Sequence, residues 1–311
     1  MDFRQLRYFA AIYEQGSLSR AAGSCRVAVS ALSHHLANME AEYGTELFSR
    51  QRRGMHPTAA GERLYGHAQS ILKAVAAAED DLRHAGAEIA GEVSVVMAQS
   101  AIKAVGIDLF KRVVEEYPNL RLVITESLSG SALGHLMSNR ADIALIYNPP
   151  NDPVLKRFPL LEEEMVLIGT ASIIGDTDDP ITFTEMLELP LLLLRQGVFP
   201  RALMDDARLL KKMEGQARFQ INSLAAVGPL LASGAACAVA TTRAMHDHIA
   251  EGNVSYRRVI EPELWRSLYI CEKADRPSTF AIEKVRQMIA EVVGSAIAKG
   301  RWDAKLINPA S

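Results

Sequence analysis

The apolar positions of the first 58 residues fall into helical spacings and then into a strand-like pair. Between about Arg4 and Glu14, Leu6, Phe9, Ala10 and Tyr13 recur three or four residues apart, the inner face of a helix that Gly16 ends. Leu18-Ser19-Arg20-Ala21-Ala22 predicts a short second helix, capped by Ser17 or Ser19. From Val27 to Glu42 a further helix buries Leu32, Leu36 and Met39 and turns Val29, Ser30, Ser33, His34 and Ala37 outward. Leu47-Phe48 and the basic run Ser49-Arg50-Gln51-Arg52-Arg53-Gly54 then read as a hairpin. Two helices across a tight turn with a basic hairpin behind them suit a helix that enters a DNA groove and a wing that grips the adjoining backbone.

Beyond Pro57 the period lengthens. Thr58 can cap a helix whose apolar residues are Leu64, Ala68, Ile71, Val75, Ala78 and Leu82, spaced alternately four and three apart. A heptad seam on an otherwise polar helix calls for a partner helix, so a dimerisation helix over 59–88 is expected, with a hinge at Ala85-Gly86-Ala87 to Gly91. Strands and helices then alternate. Val93–Ala98, Leu120–Thr125 and Ile143–Tyr147 read as strands, with helices Ala101–Tyr117 and Ser131–Asn139 between them, which predicts a parallel sheet. Strands at Met165–Gly169, Leu191–Leu194, Phe219–Ile221, Ala236–Ala240 and Leu268–Cys271 continue the pattern, with helices at about Arg201–Met213, Asn222–Ser233 and Phe280–Ala298. The last helix turns Ile282, Val285, Ile289 and Val292 inward, and residues 303–311 form a tail. The fold class is therefore α/β with a helical, winged N-terminal domain. The break at Asn148-Pro149-Pro150 points to two lobes within residues 92–302, lobe I about 92–160 and 268–302, lobe II about 161–267.

Composition sharpens the first domain more than the second. Of 311 residues, 49% are hydrophobic and 23% charged, the balance of a globular chain with sizeable cores. The overall charge is −3, yet residues 1–58 hold seven arginines against five acids, so the cationic surplus sits on the winged domain. No apolar run follows a basic start and no uncharged stretch reaches the roughly 18 residues of a membrane span, so a cytoplasmic protein is expected. Cys25, Cys237 and Cys271 are too far apart for a metal set and read as buried small hydrophobes. His34-His35 and His246-x-His248 lack further ligands, and no metal or cofactor is expected.

The blocks Phe3-Arg4-Gln5-Leu6-Arg7-Tyr8-Phe9, Gly16-Ser17-Leu18-Ser19-Arg20-Ala21-Ala22, Ala31-Leu32-Ser33, Leu47-Phe48-Ser49-Arg50 and Thr58-Ala59-Ala60-Gly61 occur in an order and spacing that resemble the LysR-type transcriptional regulators, and the likeness runs over essentially the whole chain. The effector region is most similar to the nitrogen-assimilation-control branch. The resemblance implies a winged helix-turn-helix over 1–58, a linker helix that forms dimers, and a two-lobed effector domain like periplasmic solute-binding proteins. It implies homodimers assembling into homotetramers on promoter DNA, a small-molecule inducer, and RNA polymerase as a further partner. One departure stands out: the family's Ser-Gln-Pro or Ser-Gln-Ser entry to the recognition helix is Ala28-Val29-Ser30 here. The missing cap costs about 1 kcal/mol unless Ser30 caps a shortened helix. Val29 offers only apolar contact, for instance to a thymine methyl.

Candidate DNA contacts are thus Val29, Ser30, Ser33 and His34 in the groove, with Arg50, Arg52 and Arg53 on the wing. Candidate effector contacts sit where strands meet helices, at Ser100, Ser129 and Asn222, joined by Tyr147 and Arg195. Backbone N–H groups and positive dipole ends there favour an anion, most naturally a carboxylate. In the resembled family, positions matching Ser100, Ser129, Tyr147 and Asn222 lie near the inducer pocket. The competing reading is a solute-binding or enzymatic α/β body whose basic head is only an interaction module. Against an enzyme, the sequence holds no G-x-S-x-G elbow, P-loop, dinucleotide fingerprint or H-E-x-x-H helix. The acidic run Glu162-Glu163-Glu164 reads as a solvated strand edge.

Overall fold

The computed structural model describes residues 1–51, 54–83, 89–194 and 206–307, which form two compact units dividing near residue 88. The first unit runs α1 (Phe3–Gln15), α2 (Leu18–Cys25), α3 (Val29–Tyr43), β1 (Phe48–Gln51), β2 (Gly54–Pro57) and α4 (Ala59–Arg83). Asp2 and Gln5 close a reciprocal capping box on α1, each accepting from the other's backbone N–H at 2.8 Å. Gly16 ends the helix in the left-handed conformation. Leu6, Phe9 and Ile12 of α1 pack with Ala21, Ala22, Leu32, Leu36 and Met39, and Phe48 and Met55 bring the hairpin onto the same core. Glu40 Oε1 accepts from the backbone N–H groups of Leu47 and Phe48, so the end of α3 holds the start of the wing.

The base of α4 belongs to this core as well. Thr58 Oγ1 accepts from Gly61 N at 3.1 Å, the expected cap. Ala68 is fully buried, Leu64 and Leu72 pack beside it, and the Tyr13 and Tyr65 rings stack at 3.7 Å between centroids. This corrects the seam expected from sequence. Leu64 and Ala68 are covered by the protein's own head, while Ile71 is 42% exposed, so an unpartnered stripe can begin only there. Leu82 and the hinge residues 85–87 lie outside the described side chains.

The second unit contains β3 (Gly91–Met97), α5 (Gln99–Ala101) running through a π turn at Ile102–Gly106 into α6 (Ile107–Glu116), β4 (Leu120–Glu126), α7 (Ser129–Met137), β5 (Ile143–Tyr147) and β6 (Leu155–Gly169). It continues with α8 (Ala171–Ile174), β7 (Ile181–Thr182), α9 (Phe183–Leu187), β8 (Leu192–Leu194), α10 (Ala207–Gln216), β9 (Phe219–Ile221), α11 (Leu224–Ala232), β10 (Ala238–Ala240) and α12 (His246–Ala250). It closes with β11 (Ser255–Ile260), β12 (Leu264–Lys273), α13 (Phe280–Ala298) and β13 (Lys305–Leu306). The expected start of α10 at about Arg201 falls outside the described residues, as does the end of the tail from 308. The main sheet has the order β4-β3-β5-β12-β6-β11-β7, with β10 and β13 also on β6. Strands β3, β4 and β5 are parallel, as the alternating pattern predicts, but β12 and β6 join antiparallel.

β6 is the backbone of the two-lobed body. Its Leu160 and Leu161 lie in the core of the first lobe, with Leu268 and Ile270 of β12 and the inner face of α13. Its Met165 and Leu167 lie in the second lobe's core, with Leu264. Between those stretches, Glu163 and Arg266 are register partners on neighbouring strands and both are buried. Arg266 donates from Nε and Nη2 to Glu163 Oε1 at 2.8 and 2.5 Å, and Trp302 Nε1 donates to Glu163 Oε2 at 2.7 Å. The acidic run is therefore no solvated edge, and β6 is far longer than the strand expected at Met165–Gly169. Glu162 and Glu164 point away while Glu163 points in, as strand alternation demands, and the inward carboxylate is tolerated because a guanidinium and an indole meet it.

Two substitutions test these contacts. Gly61→Ala inside α4 should raise intrinsic helix propensity by about 1 kcal/mol, yet a Cβ there would stand 2.2 Å from the Leu47 carbonyl oxygen. Overpacking of about 1–3 kcal/mol should win, lowering the midpoint of the head's urea transition; an unchanged or higher midpoint would refute the close approach. Glu163→Gln leaves the Arg266 charge buried without its counter-ion and should destabilise the second unit by about 3–5 kcal/mol. Replacing both partners together, Glu163→Leu with Arg266→Met, should restore most of that loss in chemical denaturation.

Candidate nucleic-acid interface and ligand site

α3 starts at Val29 with Ala28 in the cap position and no side-chain cap bond, so Ser30 does not cap a shortened helix. The buried stripe Leu32, Leu36 and Met39 turns the opposite side outward. Val29 is 43% exposed, Ser30 and His34 are exposed, and Ser33 is half-buried between them. His34 Nε2 pairs with Asn38 Nδ2 at 3.1 Å, whereas the His35 ring packs 5.2 Å from Tyr8, so the adjacent histidines face different surroundings. From β1, Arg50 reaches α3 and donates to Ser33 Oγ at 3.3 Å. Four of the expected DNA contacts thus share one helix, and a wing cation joins them. Arg52 and Arg53 lie outside the described residues.

In the second unit, Ser100, Ser129 and Tyr147 come together at the carboxyl ends of β3, β4 and β5, and all three are buried. Ser129 Oγ accepts from the Tyr147 backbone N–H at 3.1 Å. The Tyr147 hydroxyl lies near Ser100 and Glu163, which influence its ionisation, but it completes no hydrogen bond. Burial pushes this phenol well above its usual range, so it is a neutral donor. Asn222 is exposed at the carboxyl end of β9, before the Ser223 cap of α11, on the second lobe. Arg195 lies outside the described residues.

The site's charged floor escaped the sequence reading. Arg266 stacks over the Tyr147 ring at 3.7 Å, and Thr241, following β10, stands 3.5 Å from its Nη2. A signal existed: Leu264, Arg266, Leu268 and Ile270 alternate on one strand, as do Leu161, Glu163, Met165 and Leu167 on its partner. Opposite charges at matched inward positions of two period-two rows mark a buried pair. Asn148 fixes the end of β5 against β12, its backbone N–H and side-chain oxygen both bonding Ser267 at 2.8 Å.

The two histidines of His246-x-His248 differ in setting: His246 is exposed, but His248 is half-buried with Nδ1 unpartnered among the described residues. Cys25 is half-buried rather than buried as expected, whereas Cys237 and Cys271 are buried, which pushes both of their thiols up to about 12 and makes them poor nucleophiles. Among the described residues no group of three or more His, Cys, Asp or Glu is placed to hold a metal ion, and no helix is long and apolar enough to cross a membrane.

Comparison with known proteins agrees with both halves of this arrangement. Residues 3–62 match the family described as bacterial regulatory helix-turn-helix protein, lysR family, and residues 86–294 match the LysR substrate binding domain. The nitrogen assimilation regulatory protein nac of Klebsiella aerogenes is 29% identical over 303 residues, covering 97% of this chain and 98% of that one. Full-length OxyR from Pseudomonas aeruginosa, solved as a point variant, superposes with a TM-score of 0.71 at 21% identity over 94% of each chain. CbnR, solved in complex with its target DNA, gives 0.62 at 19% identity, over 95% of this chain and all of that one. The chain belongs to the lysR family of bacterial helix-turn-helix regulatory proteins.

Proposed function

We propose that this regulator grips promoter DNA with Val29, Ser30, Ser33 and His34 in the major groove and with Arg50, Arg52 and Arg53 of the wing on the adjoining backbone. The observation that carries the reading is the outward face of α3, where Ser30, Ser33 and His34 stand beside the apolar Val29 and Ala37, with Arg50 tied to it through Ser33. Serine, histidine and arginine supply phosphate contacts that set position. Val29 can sense a thymine methyl but offers no hydrogen bond to a base edge. Two copies pair through the exposed part of α4 from Ile71 onward, where Val75 and Ala78 continue the heptad.

The second unit holds a small anionic inducer, and its most fitting class is a carboxylate. The supporting observation is the unpartnered donor of Tyr147, set beside Ser100 over a floor whose charge Glu163 and Arg266 already balance. A carboxylate there accepts hydrogen bonds rather than filling a vacant ion pair. Asn222 contacts it from the second lobe, so the ligand favours one lobe arrangement and shifts the geometry of the paired heads on DNA. RNA polymerase reads that geometry at the promoter.

Arg50→Ala should weaken binding to every sequence and lower the slope of log affinity against log salt by about 1, and Arg52→Ala with Arg53→Ala by up to about 2. Filter binding across a salt series measures this, and unaltered slopes remove the wing from the interface. Tyr147→Phe should have opposite effects on stability and response. Removing an orphaned buried hydroxyl should leave the ligand-free protein as stable or more stable by up to about 1 kcal/mol. It should also weaken inducer binding about tenfold. Calorimetry against a carboxylate panel reads the second effect, and a panel without any binder would count against the carboxylate class.

A further inference from the structure

Apart from the Ser100–Tyr147 cleft, the second unit contains a cavity of about 350 Å³ that neither the family match nor the cleft accounts for. The π turn and the segment that follows α13, both of the first lobe, contribute Lys103, Arg301 and Asp303. On the second lobe, the segment after β10 contributes Thr242 and Arg243, and the start of α12 contributes His246. Three permanent cations therefore face one carboxylate across the lining. The acids that pair with two of them stand outside it: Lys103 Nζ meets Asp247 at 2.6 Å, and Arg301 meets Asp108.

Arg243 is the cation left over. It is half-buried, and among the described residues its one hydrogen bond runs from Nη2 to the Lys103 carbonyl at 2.6 Å. Its Nε is buried with no partner, and no carboxylate pairs with it among the described residues. A buried guanidinium donor without an acceptor costs free energy. Arg243 also lines the cavity, where an oxyanion would give its guanidinium the counter-charge that no described carboxylate supplies.

We infer that this cavity is a second anion site, distinct from the inducer cleft, for a small multiply charged oxyanion such as a phosphate-bearing or polycarboxylate metabolite. Arg243 donates to it from the second lobe, and Lys103 and Arg301 add charge from the first. The ligand thereby reinforces a junction that the Lys103–Asp247 pair and the Arg243–Lys103 bond already make between lobes. Asp303 limits its affinity by repulsion, so the site favours anions that also carry a hydrogen-bond donor.

The test is titration of the full-length protein with inorganic phosphate and, separately, with citrate, at constant ionic strength, read by calorimetry and thermal melting. At least one anion should saturate; phosphate alone assigns a phosphate ligand, and citrate alone a polycarboxylate. Arg243→Gln should weaken that binding at least tenfold, with Arg243→Lys in between. Asp303→Asn should strengthen it severalfold, an effect that misfolding cannot produce. Tyr147→Phe should bind the anion as the parent protein does. Unsaturable binding, an Arg243→Gln protein of undiminished affinity, weaker binding in Asp303→Asn, or loss of binding in Tyr147→Phe would each overturn the second site, the last by moving the anion into the cleft.

Discussion

The effector body is organised around one desolvated ion pair. Glu163 and Arg266 face each other on strands that both pass from one hydrophobic core to the other, at the point where Trp302 and Tyr147 of the first core close over them. Charges taken out of water are strongly unfavourable unless matched in both charge and hydrogen bonds, so the register of β6 against β12 has little freedom here. A one-residue slip would separate the ions and turn every inward side chain outward. Trp302, beyond α13, and Thr241, beyond β10, both reach the same pair, so segments distant in sequence converge on it. The aromatic ring beneath Arg266 belongs to Tyr147, which ties the structural pair directly to the proposed ligand site.

The head was legible because its information is local. Helix spacing, the Gly16 stop, the Thr58 cap and the inward Leu32, Leu36 and Met39 are all set within a turn or two of chain. The heptad of α4 misled at its start for the same reason: spacing shows that Leu64 and Ala68 want cover, but not that α1 already supplies it. In the effector body, the parallel β3, β4 and β5 follow from alternation with helices. The long β6 did not, because three consecutive glutamates mask an inward position whose partner lies over a hundred residues away. Ser100, Ser129 and Tyr147 were found as residues at strand ends, whereas their charged floor required pairing two distant strands. Such pairing is a tertiary fact that single-strand patterns only hint at.

The recognition helix shows how a family framework tolerates local change. Ala28 leaves the first turn of α3 without a side-chain cap, yet the helix keeps its place because its buried stripe and the Glu40 contacts to the wing anchor it from the other side. Packing can offset a lost cap of about 1 kcal/mol. The exposed face is then free to vary in its side chains.

The stacking of Tyr13 on Tyr65 has a mechanical consequence. Their hydroxyls also reach across, Tyr13 to Glu62 and Tyr65 to Glu14, so the base of α4 is clamped to α1 by two crossed bonds and a ring stack. A clamped helix of 25 residues is a lever about 37 Å long rather than a tether. Tilting its far end by a few degrees turns the whole reading head through the same angle, with no joint between them to absorb the torque.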